Sequence, residues 1–587
     1  TYVDQFYKDK NALFQIFFVE SSDSELTHQA VASIESIIGD KGYLAGSAAS
    51  SKSTLDRINS EVPLYSVVAV LLILLILIPL TSSYLEPFIF LFAIGTAIII
   101  NLGTNIIQGE VSQITFSAAS ILQLAVSMDY SIFILHRFHE ERGKGIEVKQ
   151  AMLNSLKFSL RPVLASGITT MAGFAALTFM NYGIGKDMGF VLGKGIIFSL
   201  ITVLTLLPAL IILLDKWIEK YTHKELKLSF KRLANKVTKL RYFGVTIAIL
   251  VSVIFFLAQG NVNYYYSYEG VIPADDRSNI ALREIEKIYG ETNSTVIIIP
   301  KIDKVKEVKL IEDLKNVQNV KSITGLYNEI GTELPELMIP DDALNLYQSD
   351  SYSMFTIFLS CEEETEEAFA TVDEIRNVLS SNYDEWFAAG GTFSYKDLAD
   401  VTNDDFERTT ILSIIFIFII LVVTFKSLSV PLIAIFVIEL AIWVNLGYAY
   451  FFDEPMSFLS FIIVGAIQLG ATVDYAILYI SRYKENLERM NTFEAARKTI
   501  QDTAKSIITS GGILVAGTFS VYFIATIETS SEMCLLIGRG AIISMVSVIV
   551  LLPSFLMVFE PIIKRTTLNW PTNQAKEKKA RGVTNEA

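Results

Sequence analysis

Long apolar stretches dominate the chain, and short polar connections separate most of them. Eleven of these stretches come close to the roughly 20 residues that a helix needs to cross a bilayer. We therefore predict eleven membrane-spanning helices. They are predicted at about 63–80, 86–107, 113–136, 161–182, 187–214, 243–259, 409–425, 430–452, 457–481, 505–526 and 532–558.

Two long polar segments, 1–62 and 260–408, interrupt the apolar pattern. Short apolar runs in them alternate with amphipathic stretches, which predicts α+β structure. A further helix is expected to lead into the first apolar stretch near Pro63. The predicted strands are 14–20, 42–47, 294–300 and 353–360, and the other predicted helices are 24–38, 304–316 and 364–379.

One apolar stretch occurs twice with the same polar residues in it. ILQLAVSMDYSIFILHR at 121–137 aligns with AIQLGATVDYAILYISR at 466–482, 345 positions later. A repeat of this length indicates two similar halves of one molecule. The matched pairs, at offsets of 344 or 345, include Asp129 and Asp474, Tyr130 and Tyr475, Gln123 and Gln468, Arg137 and Arg482, Asn101 and Asn445, and Pro208 and Pro553.

The repeat and the polar segments together predict an α-helical polytopic membrane protein with α+β external domains. Its two pseudo-symmetric halves share one orientation, which implies an axis along the membrane normal. The second half has one more apolar stretch, so we expect a helix and roughly 100 residues of external domain to precede residue 1. The expected domains are the end of a first external domain (1–62), a five-helix bundle (63–214), a basic linker (215–242), the first helix of the second half (243–259), a second external domain (260–408), a second five-helix bundle (409–558) and a basic tail (559–587).

Lysine and arginine are concentrated in a few connections. Loops 137–161, 215–242 and 482–505 and the C-terminal tail are basic, although the chain as a whole has a net charge of −14. The positive-inside rule therefore predicts that these parts are cytoplasmic and that both polar segments are external. Basic residues are not interleaved with aromatic ones as in nucleic-acid-binding surfaces, so we expect no nucleic acid partner.

Several other classes of chemistry are disfavoured. Cys361 and Cys534 lie in a polar segment and an apolar stretch, so we expect no disulfide. His136 and His139 lack the further ligands of a metal site. No phosphate-binding loop or nucleophile–base pair is recognisable, so we expect no cofactor, no enzyme activity and no ATP-driven pump.

Asp129 and Asp474 are the candidate functional residues. An ionised aspartate near the centre of a membrane helix costs about 2.5–3.5 kcal/mol on insertion scales, and the chain carries this cost at two matched positions. Each aspartate is eight residues from an arginine, or about 12 Å along a helix, which places it deep in the hydrocarbon layer. Such carboxyls commonly handle protons or ions. The alternative is a structural aspartate that neighbouring hydroxyls hold.

Neighbouring residues extend the candidate site. Tyr130 and Tyr475 complete the predicted proton relay, although ordinary interhelical hydrogen bonding is an alternative role for them and for nearby glutamines. Small residues one turn before each aspartate, Ala125 and Gly470, are expected to let another helix approach closely. Lys194 and Arg539 are expected near the outer interface rather than beside the carboxyls. The residues expected to support the relay are Gln123, Gln468, Ser166, Thr169 and Ser510.

The Asp-Tyr pairs, each followed by an arginine, resemble the RND superfamily, in particular its MMPL (mycobacterial membrane protein large) branch in Gram-positive bacteria. The second half has DY…SRY at Asp474 to Tyr483, and the first half has DY…HRF. The resemblance covers nearly all of the chain. It implies a proton relay at Asp129, Tyr130, Asp474 and Tyr475, and export of lipids, glycolipids, siderophores or hydrophobic drugs. SecDF, a relative, is less similar because its usual Asp-Ala-Asn motif is absent.

Together these features predict a proton-motive-force-driven exporter of lipid-like, amphiphilic or hydrophobic molecules in a bacterial cell membrane. The expected partners are protons, membrane lipids and the transported molecule, and a homo-oligomer is left open. Two alternatives remain: a non-transporting membrane scaffold or sensor, and a SecDF-like aid to protein secretion.

Overall fold

The computed structural model describes residues 7–8, 10–226, 228–266, 273, 275–289, 293–301, 304–330, 339 and 341–571. The helices within these residues are α1 (Glu25–Ile38), α2 (Ser47–Leu80), α3 (Glu86–Gly103), α4 (Gln113–Arg142), α5 (Val148–Leu177), α6 (Gly183–Leu204), α7 (Leu206–Lys220), α8 (Lys231–Lys239), α9 (Arg241–Gln259), α10 (Arg277–Tyr289), α11 (Lys304–Lys315), α12 (Leu326–Ile330), α13 (Asp341–Tyr347), α14 (Glu366–Asn382), α15 (Gly391–Phe425), α16 (Ser429–Phe452), α17 (Phe458–Leu487), α18 (Thr492–Ile524), α19 (Glu528–Val558) and α20 (Glu560–Thr566). The strands are β1 (Tyr7–Lys8), β2 (Asn11–Ala12), β3 (Tyr264–Tyr265), β4 (Ser294–Pro300), β5 (Val320–Gly325), β6 (Tyr352–Leu359), β7 (Phe387–Gly390) and β8 (Met456–Ser457).

The described residues contain eleven helical segments that are long and apolar enough to cross a membrane, as the sequence predicts. Two of them begin earlier than expected, because α2 starts at Ser47 and α15 at Gly391. The helix predicted before Pro63 and the first apolar stretch are therefore one helix. Pro63 lies inside it, where the missing N–H removes one backbone hydrogen bond but does not end the helix.

The stretch predicted as one helix at 187–214 is instead divided. Helix α6 ends at Leu204 and α7 begins at Leu206, with Thr205 between them at φ −119° and ψ −63°. Pro208 has no N–H to bond the Leu204 carbonyl, which favours a break at this point. The matched Pro553 lies inside the continuous helix α19, so the two halves differ here.

Both strands predicted in the first polar segment are wrong. Residues 14–20 and 42–46 belong to no strand among the described residues, and helix α2 begins at the next residue, Ser47. Phe14 and Phe17 are 82% and 87% exposed. Alternating apolar residues favour an extended chain, but a strand also needs a neighbour for its backbone groups. The helix predicted at 24–38 is present as α1.

The chain forms two compact units, of which the first comprises Thr1–Leu55 and Tyr265–Asn403. Its antiparallel four-stranded sheet has the order β5-β6-β4-β7. Strand β4 buries alternate residues, and Ile297 and Ile299 lie in a core with side chains of α11 and α14. The Ser53 hydroxyl donates to the Asp276 carboxylate at 2.6 Å, which joins the two chain segments of this unit.

The second unit comprises Asp56–Tyr264 and Asp404–Ala587 and contains the helical bundle. Helices α4 and α17 are central, since 78% and 89% of the residues in their most apolar 18-residue stretches are buried. The corresponding values are 22% and 28% for α2 and α15, which we call the rim helices. The halves meet where α5 packs on α17 and α18 packs on α4. The similarity of the halves extends to isolated β-bridges, since Ser83 pairs with Thr222 and the matched Ser427 pairs with Thr567.

Candidate functional site

The two predicted aspartates lie on the central helices of the bundle. Asp129 belongs to α4 and Asp474 to α17. Asp474 is buried at 7% exposure, and Asp129 is partly buried. The structure therefore brings both predicted carboxyls to the centre of the second unit, on helices of different halves.

Each carboxyl is held by hydroxyl groups of the opposite half. Ser510, on α18 of the second half, donates to Oδ2 of Asp129. Thr169 and Thr170, on α5 of the first half, donate to the Asp474 carboxylate at 3.5 and 3.4 Å. Ser166 lies one turn earlier on α5 and also faces Asp474. These contacts connect the two halves at the two acids.

The tyrosines follow the same crossed arrangement. The Tyr130 hydroxyl donates to Oγ1 of Thr170 at 3.3 Å, and Thr170 in turn reaches Asp474. Tyr475 faces Ser510 and Asp129. Each tyrosine is therefore connected to the carboxyl of the other half, directly or through a hydroxyl group, although it is adjacent in sequence to the carboxyl of its own half.

A cavity of about 60 Å³ opens between the carboxyls. Apolar side chains form most of its lining, the two carboxyls and several hydroxyl groups form the rest, and its volume suits roughly four water molecules. Oδ1 of Asp129 is buried and has no hydrogen-bond partner within the described part of the chain, so water in this cavity would satisfy it. The lining also includes Pro162, Ser481 and Ser506, which are next in sequence to Arg161, Arg482 and Lys505. The cavity thus extends from the carboxyls towards the basic ends of the helices.

On the other side of the carboxyls the halves are in direct contact. A Cβ atom on Gly173 would lie 2.8 Å from Cα of Gly470, so only glycine permits this approach of α5 to α17. The matched position Gly517 faces Ala125 on α4 with more room, at 3.4 Å from an added Cβ to the alanine Cβ. The prediction that Ala125 and Gly470 admit a neighbouring helix is confirmed.

A family model and two relatives show which known proteins this chain is similar to. The model of the MMPL family matches residues 8–240 and 300–580. The chain belongs to the MMPL family. Membrane protein YdfJ of Bacillus subtilis is 20% identical over 454 residues, which cover 74% of this MMPL chain and 61% of YdfJ. The trehalose monomycolate exporter MmpL3 of Mycolicibacterium smegmatis is 21% identical over 478 residues, 72% of this chain and 47% of that one.

A solved structure shows the same fold. SecDF from Thermus thermophilus, a translocon-associated membrane protein, matches with a TM-score of 0.57 at 14% identity. The match covers 87% of this MMPL chain and 63% of the SecDF chain. The chain thus spans less than two thirds of YdfJ, MmpL3 and SecDF. These matches show a membrane protein of the MMPL family, within the RND superfamily.

The expected support of the carboxyls by Gln123 and Gln468 differs from the observed contacts. Gln123 accepts from Asn101 at 2.8 Å and donates to the Gly195 carbonyl and Ser199. Gln468 repeats this pattern with Asn445, Gly540 and Ser544. Each amide therefore joins three helices of its own half. Sequence spacing placed the glutamines on the tyrosine face, but it did not reveal the asparagine that uses their amide groups.

Lys194 and Arg539 lie away from the carboxyls, as expected. Lys194 donates to Oδ1 of Asn105 at 2.6 Å, and Arg539 donates to the side chain and the carbonyl of Asn445 at 2.8 Å. The two cations therefore interact with asparagines of their own half rather than with Asp129 or Asp474.

Matched polar contacts also join the rim helices to the opposite half, and the sequence analysis missed them. Asp405 on α15 accepts from the backbone N–H groups of Asn181 and Tyr182, just after α5. Glu61 on α2 likewise accepts from the N–H of Thr526, just after α18. Glu61 and Asp405 are 344 positions apart, so the repeat offset was a signal that could have found them.

The other ends of the same helix pairs are also joined. Arg161 on α5 donates to the carbonyl of Thr424 at the end of α15. Lys505 on α18 donates to the carbonyl of Leu80 at the end of α2. The last carbonyls of a helix have no partner within the helix, so the two cations satisfy them. Helices α5 and α18, which carry the hydroxyls of the site, are thus attached at two levels to a rim helix of the other half.

Proposed function

We propose that this MMPL protein is a proton-motive-force-driven exporter of lipid-like, amphiphilic or hydrophobic molecules across the bacterial cell membrane. The observation that carries the proposal is the pair of carboxyls on the central helices, each held by hydroxyl groups of the opposite half. Family membership supports transport, and the relative MmpL3, named as an exporter, supports the direction and the lipid-like class.

Protonation at the pair changes the contacts between the halves. An ionised Asp129 accepts the Ser510 hydroxyl, whereas a neutral carboxyl carries a donor of its own. The same change at Asp474 alters its contacts with Thr169 and Thr170. One charge moved through 100 mV supplies about 2.3 kcal/mol. That energy is similar to the net contribution of one or two hydrogen bonds, about 0.5–1.5 kcal/mol each. A single proton is therefore sufficient to shift the packing of α4 against α18, or of α17 against α5.

In this arrangement the cavity leads from the two carboxyls to one side of the membrane only. The cavity reaches towards Arg161, Arg482 and Lys505, which the positive-inside rule assigns to the cytoplasm. The contact of Gly173 with Gly470 lies on the other side of the carboxyls. We infer that the carboxyls exchange protons with the cytoplasm in this state. Proton entry from outside then requires α5 and α17 to separate at the glycines.

Replacing either aspartate by asparagine tests the proposal. The protein would be reconstituted with trapped pyranine, to report proton flux, and with a fluorescent phosphatidylethanolamine as the lipid probe. Asp129→Asn and Asp474→Asn are each expected to reduce gradient-driven probe movement and proton flux at least tenfold, because an amide cannot take up and release the proton.

Asp373→Asn is the control, because this carboxylate lies in the first unit and is 54% exposed. It should leave both fluxes at the wild-type level. Wild-type fluxes in both Asp129→Asn and Asp474→Asn would exclude the relay. A loss of thermal stability in these variants, in a protein whose transport does not depend on a proton gradient, would instead favour the scaffold or sensor alternative.

The proposed topology is testable with the native cysteines. Cys361 lies in the polar segment that we place outside the cell, and Cys534 is buried in α19. A membrane-impermeant maleimide should therefore label intact cells at Cys361, and Cys361→Ser should abolish the signal. Burial raises the pKa of the Cys361 thiol, so less of it is thiolate at pH 7 and labelling should accelerate towards pH 9. Labelling only after the cells are opened would contradict the topology.

A further inference from the structure

Helix α8 presents an unusual basic surface next to a membrane-spanning helix. Ala234, Val237 and Thr238 are buried where α8 packs on α18 and α19. The opposite face carries only exposed polar residues. We call this face, with the adjoining Arg241, the α8 basic face; its cations are Lys231, Arg232, Lys236, Lys239 and Arg241.

The α8 basic face lies at the end of a membrane span. Helix α8 ends at Lys239, and the single residue Leu240 separates it from the first residue of the span α9, Arg241. Leu240, Tyr242 and Phe243 are 53%, 64% and 62% exposed, so apolar and aromatic groups surround the cations. Aromatic residues of this kind are enriched at the headgroup level of a bilayer. The cations are therefore at the depth of lipid phosphates, and their helix is held there by its buried face.

Several cations of the other basic connections form ion pairs, unlike those on α8. Arg142 pairs with Glu219, Lys498 with Asp502, and Lys564 with Glu560. In contrast, no aspartate or glutamate occurs in the sequence from 226 to 268. The ion pairs found among the described residues include none of the four cations on α8. Their charge is thus not neutralised by the protein and is available to an external anion.

We propose that the α8 basic face binds the phosphate headgroups of anionic phospholipids in the adjacent leaflet. Clusters of four or more Lys and Arg immediately beside a membrane helix favour anionic lipid surfaces. The fixed position of α8 adds geometry to this attraction, because the backbone that carries the cations need not be ordered on binding. Since α8 packs on α18, which carries Ser510, the lipid-binding helix contacts the helix whose hydroxyl group meets Asp129. This proposal does not depend on proton coupling or on the exported molecule.

Lipid retention tests the proposal directly. The protein, purified in a neutral detergent, would be titrated with phosphatidylglycerol or with phosphatidylcholine, and native mass spectrometry would count bound lipids. Wild type should retain phosphatidylglycerol and not phosphatidylcholine. The variant with Lys231, Arg232, Lys236 and Lys239 all changed to glutamine should bind phosphatidylglycerol about tenfold less tightly. These side chains are exposed, so the variant should fold as wild type does, which its melting temperature without lipid checks.

A matched variant controls for the loss of four charges elsewhere. Changing Arg142, Lys144, Lys498 and Lys564 to glutamine removes four cations that already have acidic partners, and should leave phosphatidylglycerol binding unchanged. Equal losses in the two variants would overturn the proposal, as would full binding in the α8 variant. Displacement of phosphatidylglycerol by millimolar inorganic phosphate would also overturn it, in favour of a soluble phosphate site.

Discussion

Gly173→Ala is expected to destabilise the interface between the two halves, whereas Gly517→Ala at the matched position is expected to be tolerated. The new Cβ at position 173 would lie 2.8 Å from Cα of Gly470 and 3.1 Å from the carbonyl of Ala466. Both neighbours are backbone atoms, which cannot rotate away. Overpacking of this kind costs about 1–3 kcal/mol and displaces the helices involved. At position 517 the added atom would make ordinary contacts of 3.4 and 3.5 Å with Ala125 and Ile121.

The displacement at position 173 should also affect the carboxyl site. The Thr170 hydroxyl lies 3.2 Å from the Gly470 carbonyl and 3.4 Å from Oδ2 of Asp474, the alternative acceptors of its one hydrogen, so moving α5 away from α17 lengthens both contacts. Thermal unfolding of the purified variants measures the first effect, and gradient-driven proton flux measures the second. Gly173→Ala should lower both, and Gly517→Ala should lower neither. Equal melting temperatures and fluxes in the two variants would mean that the glycine contact is not needed.

The sequence was sufficient for the parts of the fold that depend on apolar length and on the repeat. The eleven spans follow from hydrophobic runs, because a bilayer leaves few alternatives for a long apolar segment. The two carboxyls stand out for the same reason, since a charge there is costly. The small residues Ala125 and Gly470 predicted close helix contacts without showing which helix approaches. The crossed pairing of Asp129 with Ser510, and of Asp474 with Thr170, depends on how the halves dock, which no local pattern contains.

Other features depended on partners that are distant in sequence. The stretch FQIFFVE has strand-like residues, but no neighbouring strand meets it among the described residues, and Phe17 remains exposed. Gln123 and Gln468 lie on the predicted helix faces, yet Asn101 and Asn445 take their amide groups. In the sequence, Glu61 and Asp405 resemble ordinary charged residues of polar segments. Only the repeat offset distinguishes them, since both occupy the same position in the two halves.

Asp405→Asn is expected to loosen a rim helix, and Glu61→Gln provides the matched comparison. Asp405 is fully buried, and its two oxygens accept N–H groups of Asn181 and Tyr182 at 2.8 Å. Asparagine keeps one oxygen, which can accept both N–H groups as Oδ2 does, but its amide NH2 then faces the Asn181 N–H in place of Oδ1, and the negative charge is lost. A hydrogen bond to a charged group contributes about 1.5–3 kcal/mol against about 0.5–1.5 kcal/mol for a neutral one, so the free energy of unfolding should fall by about 1–3 kcal/mol. Glu61 is only partly buried and its partner Thr526 is exposed, so water can replace the lost acceptor at a cost of about 1 kcal/mol or less.

Substitutions at Asp405 also separate an effect on stability from an effect on proton transport. Helix α5 is held to α15 by Asp405 at one end and by Arg161 at the other, and between these points it presents Thr169 and Thr170 to Asp474. Loss of the Asp405 contact should therefore change the pH dependence of proton flux as well as the melting temperature. Asp405→Glu keeps both acceptor oxygens and should restore part of each property. If Asp405→Asn lowers the melting temperature but leaves the pH profile unchanged, the contact stabilises α5 without positioning the hydroxyls that meet Asp474.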